Sequence, residues 1–238
     1  MMNYWENIDN SINELILQGY CYLPPINNLV DLKKATYSLL EESKDRTFNE
    51  NLKTHIEINE KLQVQRYLTP KLLKVAKEYF NFSGEISDQY HITRIVKTNI
   101  RSEFYRSHFD SHCFTLILPI NILKPYKEQI SSQECGDLYF FPNARKAPKT
   151  ELINLSQKIL YRRFRGRKGF LKLSKKINHI QVPFSDYRPL LFVGLNTFHG
   201  NFPISSETSS QRVSLLSHFF DPSNQLGLSR FTRFLRNR

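Results

Sequence analysis

Along the first eighty residues the apolar positions recur every three or four residues. Ile8, Ile12, Leu15 and Ile16 predict a helix over residues 6–18, which Gly19 stops. YCYLPPI then predicts a short extended segment ended by Pro24 and Pro25. Further helices are predicted over 29–42 and 70–80, with Pro70 suited to a first helical position. From Gln89 the pattern becomes that of strands. QYHITRIVKTN is rich in β-branched residues, and HFDSHCFTLILPINIL, CGDLYFFPN, PLLFVGLNTFHGNFPI and QRVSLLSHFFDP follow as extended regions. In the last of these Val213, Leu215 and, less regularly, Phe219 are the apolar positions. Helices first and short strands after predict a mainly β fold with flanking helices, an antiparallel barrel or double-sheet jelly roll. The 238 residues are read as one domain, 1–238.

Charge divides the chain unevenly. The net charge is +12, yet residues 143–176 alone hold twelve lysines and arginines against a single acid, Glu151. The tail 228–238 adds four arginines and no acid. The remainder is mildly acidic, so the protein reads as a body with two basic appendages. Within the first of these, an insertion over about 143–180, Leu152, Leu155, Ile159 and Phe164 are roughly helically spaced, and Gly166 is predicted to end that helix. No run of about 18 apolar residues predicts a membrane span. The start, MMNYWENIDNSINELILQGY, has acids and asparagines where a signal peptide has a basic end and an apolar run. Cys21, Cys113 and Cys135 are too few and scattered for a disulfide framework or a cysteine metal cage, and a cytoplasmic setting is the expectation.

The candidate chemistry starts from YRSHFDSH, Tyr105 to His112, which sets His108, Asp110 and His112 at alternate positions. On a strand these would share one face. Taken alone, His108 and Asp110 read as a structural hydrogen-bonded pair. With a second histidine far along the chain they match the two-histidine, one-carboxylate donor set. Imidazole suits Fe(II), the carboxylate adds a hard anion, and three positions stay open for a chelating cosubstrate and O2. His179, His199 and His218 are the candidates for the distal ligand. His199 is preferred: it closes LLFVGLNTFH, Gly200 after it permits close backbone approach, and Arg212 follows thirteen residues on. Arg212 and Ser214 share a strand face, and a guanidinium fork beside a hydroxyl is shaped to hold a carboxylate.

With His108-Phe109-Asp110, His199 and Arg212-Val213-Ser214 in this order, the chain resembles the Fe(II)/2-oxoglutarate-dependent oxygenases, most closely the phytanoyl-CoA-dioxygenase-like branch. LILQGYCYLPPI also looks like that branch's N-terminal segment. The resemblance spans about residues 11–220. It implies a double-stranded β-helix (jelly-roll, cupin-like) core, to which the residue pattern adds N-terminal helices and a basic, partly helical insertion. It also implies Fe(II) on His108, Asp110 and His199, and 2-oxoglutarate held by Arg212 with Ser214 assisting, O2 being the second cosubstrate. The 91-residue gap from His108 to His199 exceeds that expected of a minimal member, and the basic insertion accounts for the excess. Related halogenases lack a carboxylate at the position of Asp110, so hydroxylation of an unactivated C–H bond is the expected reaction.

The other polar residues carry plainer readings. His112 stands between a substrate contact and a structural residue, and His218 reads as structural. His55, His91 and His179 read as surface or capping histidines, and Asn196 as a turn former. Tyr90 and Arg94 share a strand face, to be read as cosubstrate contacts or as packing against the helices. The basic insertion, with Tyr161, Phe164, Phe170 and Leu171 interleaved, predicts contact with a polyanion or with an anionic membrane surface touched peripherally through 143–176 and 228–238, and the expected substrate is an anionic small molecule, lipid-linked or carried on coenzyme A or a carrier protein. GLSRFTRFLRNR has the alternation of a basic amphipathic helix. Two other functions compete. A nucleic-acid oxidative demethylase would need a pocket for a flipped base and a second arginine after Arg212, where VSLLSHFF stands instead. A non-catalytic jelly-roll binding protein would have no need of intact ligand residues.

Overall fold

The structure, a computed structural model, describes residues 4–44, 46–87, 89–97, 104–122, 136–182, 187–204 and 211–222. Cys135 and the tail 228–238 lie outside the described residues.

The N-terminal half supplies the helices. α1 (Ile8–Gln18) buries Ile8, Ile12 and Leu15 and ends as predicted at Gly19, whose φ of 84° places it in the left-handed region while its N–H caps Leu15. The short strand β1 (Tyr20–Tyr22) follows. α2 (Leu32–Ser43) starts where the Asp31 carboxylate accepts from the Lys34 N–H, and α5 (Thr69–Phe80) carries its proline in the first turn. Between them are β2 (Phe48–Glu50), α3 (Lys53–Lys61) and α4 (Val64–Tyr67), which apolar spacing did not predict. α3 is the instructive case, because the side it buries is largely polar: His55 and Asn59 reach Ser217, at 3.2 and 3.0 Å.

Two antiparallel sheets form the core. The larger has the order β1-β7-β4-β9-β3-β2 and the smaller β6-β5-β8. Their strands are β3 (Gln89–Val96), β4 (Phe114–Asn121), β5 (Leu138–Phe141), β6 (Ile180–Val182), β7 (Leu190–Val193), β8 (Phe198–Asn201) and β9 (Arg212–Phe219). A reciprocal backbone pair between His108 and His199 extends the small sheet beyond β8. This is the double-stranded β-helix arrangement, with helices against the outer face of the large sheet. Alternation along β9 shows how it is specified. Val213, Leu215 and Phe219 enter the core under the helices, while Arg212, Ser214, Leu216 and His218 turn into the space between the sheets.

The fourth predicted extended region and the basic insertion differ from the structure. The run 189–204 is not one strand: β7 lies in the large sheet and β8 in the small one, with a turn over Gly194–Asn196 between them. Residues 142–179 form two helices, α6 (Glu151–Tyr161) and α7 (Gly166–Ser174), joined by a 3-10 turn at Arg162–Phe164. Gly166, at φ +76°, opens α7 rather than closing a single helix. Phe164, Phe170 and Leu173 hold this pair against Tyr139, Phe141 and Phe198 on the outside of the small sheet. Each such buried side chain contributes about 1.5–3 kcal/mol.

His55 is a buried residue rather than a surface one, at 0% exposure. Burial, with His91 and His218 nearby, pushes its imidazole down to about 3, and burial lowers His91 as well. Unfolded histidine titrates near 6.5, so below that pH the unfolded chain binds protons that the folded chain refuses. This part of the stability is complete above about pH 6.5 and declines as pH falls from there toward 3. Urea unfolding of the metal-free protein between pH 7.5 and 4.5 should show the decline, at up to about 1.4 kcal/mol per pH unit for each excluded proton. His55→Gln should flatten that slope by about one proton; an unchanged slope would refute the assignment.

Candidate active site

The backbone pair between His108 and His199 places two imidazoles side by side, their ring centroids 4.5 Å apart. Asp110 completes the group. Its Oδ1 lies 3.5 Å from His108 Nε2 and 3.7 Å from His199 Nε2, and one ligand atom from each of the three falls within 4.8 Å of the others. The structure thus brings together the three residues expected to be ligands and leaves His179 outside them, packed against Phe141 and Phe170.

The donor set fits a divalent metal ion. His108 Nδ1 is 3.1 Å from the Arg106 carbonyl and His199 Nδ1 is 3.2 Å from the Thr197 carbonyl. A carbonyl oxygen only accepts, so each Nδ1 donates and each Nε2 is the nitrogen turned toward Asp110. Burial pushes His199 down to about 4 against the pull of Asp110, which keeps it neutral. Burial pushes Asp110 up, but His199, the contact with His108 and His218 outweigh it and hold the carboxyl well below the usual range. Two imidazole nitrogens and an ionised carboxylate converge at a spacing that a divalent cation can bridge. Neutral imidazole and ionised carboxylate are also the protonation states that metal ligands need.

The second oxygen of Asp110 is held from behind. Thr115, on β4, donates to Asp110 Oδ2 at 2.5 Å, and its hydroxyl accepts from His218 Nδ1 at 2.9 Å. His218 therefore combines the structural role expected of it with a place in the cavity wall. Gly194 makes room for this packing, since a Cβ there would come within 3.0 Å of Asp110 Cβ, the His112 carbonyl and Thr115 Oγ1. Gly200, beside His199, is similarly enclosed by the Tyr139 and Ser107 hydroxyls, as its close approach required.

The group opens on a cavity of about 500 Å³ between the sheets. Buried Arg212 and Ser214 line its inner part, with Arg94 and Asn201 beside them. Arg212 Nη1 and Asn201 Nδ2 both donate to the Gly136 carbonyl, and Arg94 Nη1 donates to Asn201 Oδ1 at 2.6 Å. Arg94 lies directly opposite Ser214 in the β3–β9 register, so it faces the cavity rather than the helices. Ile92, Ile117, Leu138, Leu216 and Phe48 supply apolar lining, and the exposed Arg106 and Arg165 line the open side.

His112 is placed differently from the expectation that it shares the ligand face. Asp110 N donates to the Gly194 carbonyl and Cys113 N to the Phe220 carbonyl, so the chain bends through Ser111–Cys113 as it passes between the sheets. The alternation breaks there. His112 stacks on His218 and Tyr90, with centroids at 5.2 and 6.1 Å, and is not among the residues lining the cavity. Tyr90 itself donates to Glu50, and Asn196 lies in the β7–β8 turn as expected. Asn201 and Thr115 were not recognised in the sequence, and Arg106 and Arg165 were visible there only as charge.

Comparison with solved structures gives the fold its context. The chain matches the non-haem α-ketoglutarate-dependent carbocyclase SnoK of nogalamycin biosynthesis at a TM-score of 0.53 and 10% identity, covering 89% of this chain and 83% of SnoK. It matches a prolyl 4-hydroxylase from Phytophthora capsici at 0.51 and 13%, over 99% and 74% of the two chains. It matches the epimerase SnoN, solved with Fe3+ and α-ketoglutarate, at 0.50 and 11%, over 90% and 83%. This is the fold of the non-haem iron, 2-oxoglutarate-dependent enzymes. At 10–13% identity the likeness is one of fold, and what the site does follows from its own residues. No protein-family model and no curated protein matches the sequence.

Proposed function

We propose that the protein is an Fe(II)- and 2-oxoglutarate-dependent oxygenase that hydroxylates a C–H bond of an anionic substrate. The observation that carries this reading is the convergence of His108, Asp110 and His199 on a cavity whose inner part holds Arg212 and Ser214. Iron, 2-oxoglutarate and O2 would supply oxidative decarboxylation coupled to C–H hydroxylation, yielding succinate and CO2. His108, Asp110 and His199 would hold the metal at the cavity wall that they line. Thr115 fixes Asp110 so that Oδ1 faces the metal position. The Arg212 fork and the Ser214 hydroxyl bind the distal carboxylate of the cosubstrate, with Asn201 and Arg94 bracing that end. The apolar lining accommodates the carbon chain and excludes water. At the open side Arg106 and Arg165 bind the anionic group of the substrate. Asp110, committed to the metal, is the one acidic side chain among the described lining residues, so the cavity strongly favours anions.

The test is a melting experiment on metal-free protein with succinate release measured in parallel. At concentrations about 100 times their dissociation constants, Fe(II) and 2-oxoglutarate together should stabilise the fold by about 2.7 kcal/mol or more. That corresponds to a rise of about 5–10 °C for a protein of this size. Succinate should appear only when both are present with O2. If Fe(II) does not bind and 2-oxoglutarate leaves the melting temperature unchanged, the reading is wrong.

A further inference from the structure

α6 is amphipathic in the reverse of the usual sense. Its inner side is largely polar: buried Asn154 accepts from Arg145 Nη2 at 2.9 Å, Gln157 accepts from Arg145 Nη1 at 3.1 Å, and Lys158 donates to Ser111 Oγ at 3.0 Å, with Tyr161 packing on Phe109 and Phe198 at its end. The Arg145 guanidinium that makes these bonds is itself buried, over the Phe109 ring at 4.0 Å, with its Nε donating to the Leu195 carbonyl. The outer side is aliphatic. Leu152, Leu155 and Ile159, at i, i+3 and i+7, are 69, 40 and 55% exposed, and Ile153 and Leu160 flank them at 40 and 50%. A helix facing water would present the opposite pattern, and a contiguous apolar patch with a polar border marks a surface that meets something apolar.

The border identifies the partner. Exposed Arg162 and Arg163 follow α6 in the 3-10 turn, exposed Lys149 precedes it, and exposed Lys168 lies in the first turn of α7. Across 143–176 only Glu151 offsets the positive charge. A second copy of this chain, packed face to face, would bring the same cations against themselves. The C-terminal tail, with four arginines and no acid in 228–238, is repelled likewise. A nucleic acid would engage the cations and leave five aliphatic side chains in water. An anionic bilayer surface satisfies both parts, with phosphates meeting the cations and the acyl boundary receiving the aliphatic row.

We infer that the outer face of α6, with its basic border, is a docking surface for an anionic phospholipid membrane. No described helix is long and apolar enough to cross a bilayer, so the contact is peripheral. Arg165, between the two helices, lines the cavity, so the docked face and the open side of the site share one segment. This inference concerns binding alone and stands or falls independently of the iron chemistry.

The experiment uses the full-length metal-free protein in sedimentation with vesicles of phosphatidylcholine containing about a third phosphatidylglycerol, beside vesicles of phosphatidylcholine alone. The variant carries Leu152→Ser, Leu155→Ser and Ile159→Ser, surface changes expected to leave the melting temperature nearly unmoved. The expected result is salt-sensitive binding to the anionic vesicles, weak binding to the neutral ones, and at least about tenfold weaker binding of the variant to the anionic vesicles. Absence of binding, equal binding to both vesicles, or equal binding of the folded variant overturns the proposal. So does dimerisation in analytical ultracentrifugation, or oligonucleotide binding, that the triple variant abolishes.

Discussion

Asp110→Ala should abolish Fe(II) binding at micromolar metal while leaving the metal-free protein folded. Asp110 is 8% exposed and lies 3.5 and 3.7 Å from the Nε2 atoms of His108 and His199. Without the carboxylate two neutral imidazoles remain, and a dication loses the only anionic ligand of the group. Loss of a partner that merely supports a ligand costs about 10–100-fold in metal affinity, so loss of the ligand itself should exceed about 100-fold. Succinate release should fall with it. The metal-free fold behaves differently, because a buried carboxylate must be matched closely by its surroundings to repay desolvation. Thr115 and the neighbouring histidines do match it, holding the carboxyl below the usual range, so the metal-free variant should stay folded with a melting temperature lower by a few degrees. Asp110→Asn keeps an acceptor for Thr115 and should reproduce the metal defect. The assignment fails if either variant binds Fe(II) normally, or if Asp110→Ala lowers the metal-free melting temperature by many degrees while metal binding persists. Calorimetry and melting curves on one preparation decide this.

The residues legible in the sequence are those whose placement follows from local periodicity. Arg212 and Ser214 face the cavity because strand side chains alternate, and β9 keeps that alternation from Arg212 to Phe219. His108 and Asp110 were legible for the same reason, but the alternation could not reveal that the chain bends at Ser111–Cys113 and takes His112 away. The bend arises from tertiary hydrogen bonds to Gly194 and Phe220, which lie roughly a hundred residues off. Arg165 reaches the cavity through contacts of the same kind: Gly166 N donates to the Tyr105 carbonyl, and Arg165 Nε to the Ser107 carbonyl at 3.0 Å. For α6, spacing identified an apolar face without saying which side the protein would cover. The covered side is set by the buried Arg145, whose bonds to Asn154 and Gln157 turn the aliphatic side outward. α3 stayed hidden because most of the side it buries is polar and belongs to the network of His55, Asn59, Thr93 and Ser217.

Arg212→Leu should weaken 2-oxoglutarate binding by about 100-fold and leave Fe(II) affinity unchanged. Arg212 is 6% exposed, and truncating one partner of a buried, hydrogen-bonded charge pair costs about 2–5 kcal/mol, of which 3 corresponds to roughly 100-fold. Half-buried Asp137 is near enough to feel Arg212, whose attraction opposes the rise that burial imposes on the Asp137 carboxyl, and the guanidinium lines the cavity where a ligand carboxylate would meet it. Arg212→Lys should recover part of the loss, since a single ammonium restores the charge but not the two-pronged geometry. Ser214→Ala, which removes one neutral hydrogen bond to a charged group, should cost about tenfold. A purely structural role also has to be considered, because Arg212 donates to the Gly136 carbonyl and its loss could slacken that turn. A keto acid without the distal carboxylate separates the two. The parent should prefer 2-oxoglutarate to 2-oxobutyrate by about two orders of magnitude, and in Arg212→Leu that preference should collapse toward unity because 2-oxobutyrate never used the guanidinium. A slackened turn would weaken both keto acids alike and keep their ratio. A preserved preference in the folded variant would therefore remove Arg212 from the cosubstrate site, while a collapsed ratio with intact Fe(II) binding would place the distal carboxylate against it.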